Sequence, residues 1–300
     1  MKIVAAVVTY NRRELLGRCI DHLRSQTRAP DKIIIINNSS TDGTEDMLRA
    51  RGVAFITQEN TGSAGGWRRS IQYATDEEYD SVWLMDDDGF PHAGALAALE
   101  SAMAPDVACA SSVVLQENRP AHFVFPMPIL NDSGEPVIFG LPRKIESLEE
   151  LRRRAPEGVY PFAHLFNGAL ISIQAARKIG NVNQDYFLYG EEVDYFCRLR
   201  SAGKVMSVLD AVQFHPDVRR RPFTPVKFYY YLKNALILNA LYFGRTPLRN
   251  LLAVAAVLGR TAKRNGLVTA LGYLFGGHAP VLYRAIARGL RGQIGKDFID

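Results

Sequence analysis

Cysteine is scarce in this chain. Cys19, Cys109 and Cys197 are scattered through 300 residues and form no CxxC pair. No disulfide framework can be drawn through them, which fits a reducing compartment. Long apolar runs are missing too: no segment reaches the ~18 uninterrupted apolar residues that cross a bilayer. The opening MKIVAAVVTYNRRE is only superficially like a signal peptide, because polar residues follow at once and no cleavage site appears. It reads better as a buried first strand. The Gly-rich stretch Asn60–Arg69 is neither a P-loop nor a G-x-G-x-x-G fingerprint.

What is present is apolar mass and a lopsided charge. Hydrophobic residues make up 47% of the chain, enough for one large domain or a domain with an extension. Between 216 and 300 there are 14 Lys/Arg against 3 Asp/Glu, leaving 22 against 28 for the rest. Such asymmetry marks a surface for an anionic partner, either nucleic acid or an anionic membrane. Tyr229-Tyr230-Tyr231 leads into apolar segments at 232–243 and 251–258, punctuated by Arg260, Lys263, Arg264, Arg284, Arg288 and Arg291. Basic amphipathic helices on a membrane surface fit this pattern; helices packed on the first domain with solvated basic faces fit it as well.

The first half alternates strand and helix. Strands are expected at 3–8, 33–36, 53–56 and 81–85. Helices are expected at 14–25, with Leu15, Leu16, Cys19, Ile20 and Leu23 on one face, and at 44–51 and 65–74. Short connections between such elements predict a parallel α/β sheet, which binds ligands beyond its strands' carboxyl ends. Those ends are polar: Thr9-Tyr10-Asn11, Asn37-Asn38 and Asp86-Asp87-Asp88. Residues 115–161 read as an irregular, Pro-rich insertion or site-covering loop with a charged helix near 147–154. A strand is expected at 163–173 and a helical turn at 175–179.

Three consecutive carboxylates after an apolar strand suit no core, because adjacent acids repel and burying them unpaired is costly. A divalent cation removes the objection. Asp86 and Asp88 project to one side of extended chain and could hold Mg²⁺ or Mn²⁺ with positions open for phosphate oxygens. A solvated acidic turn is the competing reading. The amides at the start of the Asn60–Arg69 helix could attract an anion, or the glycines could serve an ordinary turn. Glu191, Glu192 and Asp194 complement a helix N-terminus or offer a general base. His215 is a structural histidine or a third metal ligand.

In order, the pieces VVTYNRRELL, IINNSSTDGT, NTGSAGGWRRSI, WLMDDD, FNGALIS and FLYGEEVDYFCRLRSAG resemble the inverting nucleotide-sugar glycosyltransferases of family 2. The Trp-x-x-Asp-Asp-Asp form with Gly-Glu-Glu-x-Asp-Tyr is similar to their galactofuranosyltransferase and rhamnosyltransferase branch. The resemblance implies a GT-A fold: α/β, Rossmann-like, with a mixed, mainly parallel sheet flanked by helices and a C-terminal helical extension. Residues 1–215 would form the nucleotide-sugar-binding and catalytic domain. Residues 216–300 would be a basic, aromatic-rich extension that binds membrane or acceptor.

The resemblance also implies roles. Thr9, Tyr10 and Arg12 would line a uridine or thymidine pocket, with Asn38 near the base; Asn37 stands where many relatives carry aspartate. Asn60, Gly65 and Arg68 would face the ribose and diphosphate. Asp86 and Asp88 would hold Mn²⁺ or Mg²⁺ with His215, and Asp86 and Asp87 would also face the nucleotide sugar. Glu192 would be the base, with Glu191 the alternative. Trp67 and Trp83 could be core or sugar-binding.

The implied function is metal-dependent transfer of galactofuranose from UDP-galactofuranose to a hydroxyl of a lipid-linked or cell-surface glycan, or of rhamnose from dTDP-rhamnose. The expected location is cytoplasmic, peripheral at the inner face of the plasma membrane, with no nucleic-acid partner. A nucleotidyltransferase, a non-catalytic nucleotide-sugar-binding protein and a nucleic-acid-binding protein are the competing classes.

Overall fold

The computed structural model describes residues 1–217 and 223–298. Arg219, Arg220 and Arg221 of the expected basic extension lie outside them. The chain forms two compact units: Met1–Val182 with Tyr195–Asp217, and Asn183–Asp194 with Val218–Asp300.

The first unit opens with β1 (Ile3–Thr9), α1 (Arg13–Arg24), β2 (Lys32–Asn37), α2 (Thr44–Ala50), β3 (Ala54–Thr57), α3 (Gly62–Asp76) and β4 (Ser81–Asp86). It continues through β5 (Phe90–Pro91), α4 (Ala95–Ala102), β6 (Val107–Gln116), β7 (Arg119–Pro128), β8 (Lys144–Ser147), α5 (Leu148–Arg154), β9 (Val159–Tyr160), β10 (Asn167–Ser172) and α6 (Ile173–Ile179). It closes with the later turns of α7 (Glu191–Ala202) and with β11 (Lys204–His215).

The strand order is β3-β2-β1-β4-β10-β6-β11-β5. β1, β2, β3 and β4 are parallel, β10 runs against both β4 and β6, and β6 and β11 are parallel. The carboxyl ends of β1–β4, β6 and β11 therefore share one edge of the sheet. That edge collects Thr9, Asn37, the three acids and His215.

Both faces of this sheet are covered, which explains why its strands are continuous apolar runs rather than alternating ones. On one face Leu16, Cys19, Ile20 and Leu23 of α1 meet Ile3, Ala5, Val7, Trp83 and Met85. On the other Ala64, Trp67, Ile71 and Ala74 of α3 meet Val4, Ala6, Val8, Val82 and Leu84. Each large aliphatic side chain buried this way contributes about 1.5–3 kcal/mol. Both tryptophans belong to the core, Trp67 stacked on Phe166 at 4.6 Å. α3 begins three residues earlier than its expected start at 65, so most of the Gly-rich stretch is helix. A Cβ on Gly66 would come within 2.5 Å of Val8 Cγ1, so glycine there lets α3 lie flush on β1.

Residues 115–161 are a correction. They are largely regular, with β6 and β7 forming a hairpin followed by β8, α5 and β9. Phe123, Met127, Ile145, Leu151 and Tyr160 build a satellite core. The prolines obscured this: Pro120 and Pro126 of β7 fall where the register shifts, and Pro128 ends the strand.

The second unit contains the 3-10 turn Gln184–Tyr186, the first turn of α7, α8 (Pro225–Tyr242), α9 (Thr246–Asn265), α10 (Leu267–Phe275) and α11 (Ala279–Leu290). Thr224 caps α8 by accepting from the Lys227 amide, with Pro225 in the first turn. Phe228 stacks on Tyr273 at 3.9 Å in an aromatic core. Lys233 is fully buried, and its Nζ donates to the Gly295 carbonyl at 2.9 Å and to Asp297 at 2.8 Å. Asp297 also accepts from Arg288 at 2.7 Å and from the Tyr229 hydroxyl at 3.1 Å. Burial alone would raise the Asp297 carboxyl; Lys233, Tyr229 and Arg288 together hold it below the usual range. Among the described residues no helix is long and apolar enough to cross a membrane.

Candidate active site

The acids leave β4 at the carboxyl edge and turn inward, so that Asp87 and Asp88 are almost wholly buried. Thr9, at the end of neighbouring β1, donates its hydroxyl to Asp87 Oδ2 at 2.7 Å. Arg12, in the turn after β1, places one guanidinium nitrogen 2.9 Å from Asp87 Oδ1 and 2.9 Å from Asp88 Oδ2. His215, at the end of β11, brings Nε2 to 2.9 Å from Asp88 Oδ1. Three side chains from the ends of two strands thus converge on two carboxylates.

Electrostatics follow from that crowding. Burial raises the Asp87 carboxyl above the usual range, Arg12 and Thr9 pull it back, and Asp88 pushes it further up. Burial alone would lower Arg12, but Asp87, Asp88 and Asp86 hold its guanidinium above the ordinary value.

The His215–Asp88 contact bears on the cation. His215 Nδ1 lies 2.7 Å from the Pro216 carbonyl, and a carbonyl only accepts, so Nδ1 carries the proton. Nε2 and a carboxylate oxygen then face each other as two acceptors unless a proton or a metal ion is shared between them. This donor set, one imidazole and carboxylate oxygens, suits Mn²⁺ or Mg²⁺. Among the described residues no group of three or more His, Cys, Asp or Glu side chains is arranged to hold an ion. The ligands expected at Asp86, Asp88 and His215 are represented by the Asp88–His215 pair, with Asp86 at the half-buried end of β4.

The other expected positions stand outside this contact set. Tyr10 is about half exposed. Asn38 is buried and accepts from Gln58 Nε2 at 2.9 Å. Asn37 spends its amide on Thr57 Oγ1, Glu45 Oε1 and the Ser40 amide; an aspartate could not donate the first two of these bonds. Asn60 accepts from the Gly62 amide at the start of α3. Gly65 is buried inside α3, where a Cβ would strike the Thr61 side chain. Arg68 is exposed and donates to the Val182 carbonyl at 3.4 Å.

Glu191 and Glu192 open α7 within the second unit. The loop before them is tightly specified. Phe187, Tyr189 and Gly190 all have positive φ, and a Cβ on Gly190 would lie 2.9 Å from both Asn234 and Tyr186. Asn234 of α8 donates its amide to the carbonyls of Tyr186, Leu188 and Tyr189. Tyr242 donates to Asp194 at 2.6 Å. Neither Asn234 nor Tyr242 was singled out in the sequence, since nothing local marks a residue whose partners lie more than forty positions away.

A second set was also missed. Ser112 Oγ, both polar atoms of the Gln213 side chain and Asn167 Oδ1 are buried without a hydrogen-bond partner. Ser112 and Gln213 crowd Gly168, and Gln213 and His215 crowd Gly89. Each buried polar group left unmet costs about 1–3 kcal/mol, which makes these residues candidates for contact with water or a ligand at this edge. They lie on β6, β11 and β10 next to the acid turn.

A mainly parallel sheet with helices on both faces and acids at its carboxyl edge is the GT-A architecture. Its likeness to solved structures is in fold: a mannosyltransferase, PcManGT from Pyrobaculum calidifontis, in complex with GDP-Man and Mn²⁺, matches at TM-score 0.56 and 17% identity over 96% of this chain and 87% of that one. TarS 1-349 of S. aureus matches at TM-score 0.57 and 12% identity over 97% and 81%. The glycosyl transferase family 2 model matches residues 5–128. Galactofuranosyltransferase GlfT1 of Mycobacterium tuberculosis is 32% identical over 225 residues, 71% of this chain and 70% of that protein; its counterpart in Mycolicibacterium smegmatis is 30% identical over the same length. The chain belongs to glycosyltransferase family 2, within its galactofuranosyltransferase branch, and is a glycosyltransferase.

Proposed function

We propose that this enzyme transfers galactofuranose from UDP-galactofuranose to a hydroxyl of a lipid-linked or cell-surface glycan, with inversion at the anomeric carbon. The observation that carries the reading is the 32% identity to GlfT1 galactofuranosyltransferases over 225 residues. The polar edge built by Thr9, Arg12, Asp87, Asp88 and His215 supports it. The acceptor oxygen forms the new bond to the anomeric carbon as the bond to the diphosphate oxygen breaks, and the nucleoside diphosphate leaves with the electron pair. Glu192 takes the acceptor proton as general base, with Glu191 the alternative.

Asp88 and His215, with Asp86, are the residues that would hold a divalent cation. When bound, it supplies neutralisation of charge on the departing diphosphate. Arg12 keeps Asp87 and Asp88 compatible with burial, and Thr9 fixes the orientation of Asp87. Tyr10, Asn38, Asn60, Gly65, Arg68, Asp86 and Asp87 contact the nucleotide sugar. The basic segment after 216 meets an anionic membrane that presents the acceptor.

The test is release of nucleoside diphosphate from UDP-galactofuranose, UDP-galactopyranose and dTDP-rhamnose, with Mn²⁺, Mg²⁺ or EDTA, in wild type and Asp88→Ala. Release from UDP-galactofuranose that needs a metal and is lost in Asp88→Ala is the expected result. Release from dTDP-rhamnose alone would reassign the sugar. No turnover of any donor with either metal would sink the reading.

A further inference from the structure

One helix of the second unit keeps an apolar face uncovered. α10 buries Ala270 and Tyr273, the latter within the aromatic core. Leu267, Val268, Leu271 and Phe275 are 66%, 85%, 47% and 85% exposed. At helical spacing these four fall within an arc of about 100° on one side. Tyr283 of α11 is also exposed and donates to the Leu274 carbonyl at 3.4 Å, which sets it beside α10. Large apolar side chains gathered like this mark an interaction surface, unlike singly scattered ones.

Charge identifies what covers the ridge. Between 223 and 298 there are 11 Lys/Arg and a single acid, Asp297. That acid is engaged by Lys233 and Arg288. Lys263 and Arg264 occupy the last turn of α9, just before α10 begins. A second copy docking through this same face would bring like charge against like charge. A surface that is negative outside and apolar beneath has the complementary chemistry. α10 has 9 residues, far short of the ~20 needed to span a bilayer, so it can only lie along one.

We propose that α10 docks on an anionic lipid bilayer, with Leu267, Val268, Leu271 and Phe275 entering the headgroup–acyl boundary and Lys263 facing lipid phosphates. The proposal deepens the reading of a lipid-linked acceptor and rests on it for its purpose. The full chain would be floated with vesicles of phosphatidylcholine alone or mixed with phosphatidylglycerol, at low and high salt. Binding should require phosphatidylglycerol and weaken with salt. Val268→Glu with Phe275→Glu should lower partitioning by roughly tenfold or more, and Lys263→Glu by about fivefold.

Release of UDP from UDP-galactofuranose without vesicles should be unchanged in these variants, since none of the three residues has a role in donor binding or proton transfer. A failure of release in wild type would strike the transferase reading and leave the flotation result standing. Undiminished flotation of the Val268/Phe275 variant would overturn the proposal. A wild-type dimer in ultracentrifugation that the same variant abolishes would also overturn it, assigning the ridge to a second copy.

Discussion

Replacing Arg12 with methionine keeps much of the side chain's length and removes a cation shared by Asp87 and Asp88. Both carboxylates are nearly inaccessible to water, so neither can recover the lost charge by solvation. Breaking a fully buried ion pair costs about 3–5 kcal/mol. The Arg12 side chain is itself 39% exposed, so water screens part of the interaction and the expected loss is about 2 kcal/mol. Urea unfolding of Arg12→Met in EDTA measures it.

The pH dependence has a definite sign. Asp87 already titrates above the usual carboxylate range, and losing Arg12 raises it further. A carboxyl raised in the folded state stabilises the fold below its unfolded value, and that stabilisation is lost as pH rises through the folded value. The deficit of Arg12→Met should therefore shrink as the pH is lowered from neutral into the carboxylate range. Arg12→Met should also cost less in an Asp87→Asn background, with a coupling of about 1 kcal/mol or more. Equal costs in both backgrounds, at every pH, would refute the claim that Arg12 compensates Asp87.

The remaining predictions concern the other buried polar groups. Asp297→Asn should destabilise by about 3 kcal/mol at neutral pH, because it strands buried Lys233. The folded-state carboxyl is held low, so its contribution is present above the unfolded value and lost as pH falls through the folded one. Urea midpoints of wild type and Asp297→Asn should accordingly converge at strongly acid pH, and a constant gap would contradict the assignment. Gln213→Leu removes two orphaned polar atoms and should leave the melting temperature equal or higher while slowing UDP release. A lower melting temperature with unchanged release would mean the amide serves the fold.

Much of the first unit was readable because it is locally encoded. The apolar runs of β1, β2 and β4 and the 3.6-residue pattern of α1 each reside in fewer than a dozen residues. The polar strand ends were readable for the same reason, since a parallel strand must stop where its apolar face stops. The 115–161 hairpin was not, because prolines spoiled its alternation and its core is assembled from segments that look weak alone. Strand β11 and the length of α8 escaped for a related reason: their burial depends on partners distant in sequence.

The sequence by itself determined the α/β alternation, the three acids after β4, the basic C-terminal segment and the resemblance to family 2 glycosyltransferases. Only the tertiary structure decided that Thr9 and Arg12 reach across 78 and 75 residues to Asp87, that His215 meets Asp88, and that Asn234 clamps the loop before Glu191. Apolar periodicity constrains each element against its neighbours in the chain. Parallel crossovers return distant carboxyl ends to one edge of the sheet, and which side chains meet there depends on strand order and register, which no local pattern contains.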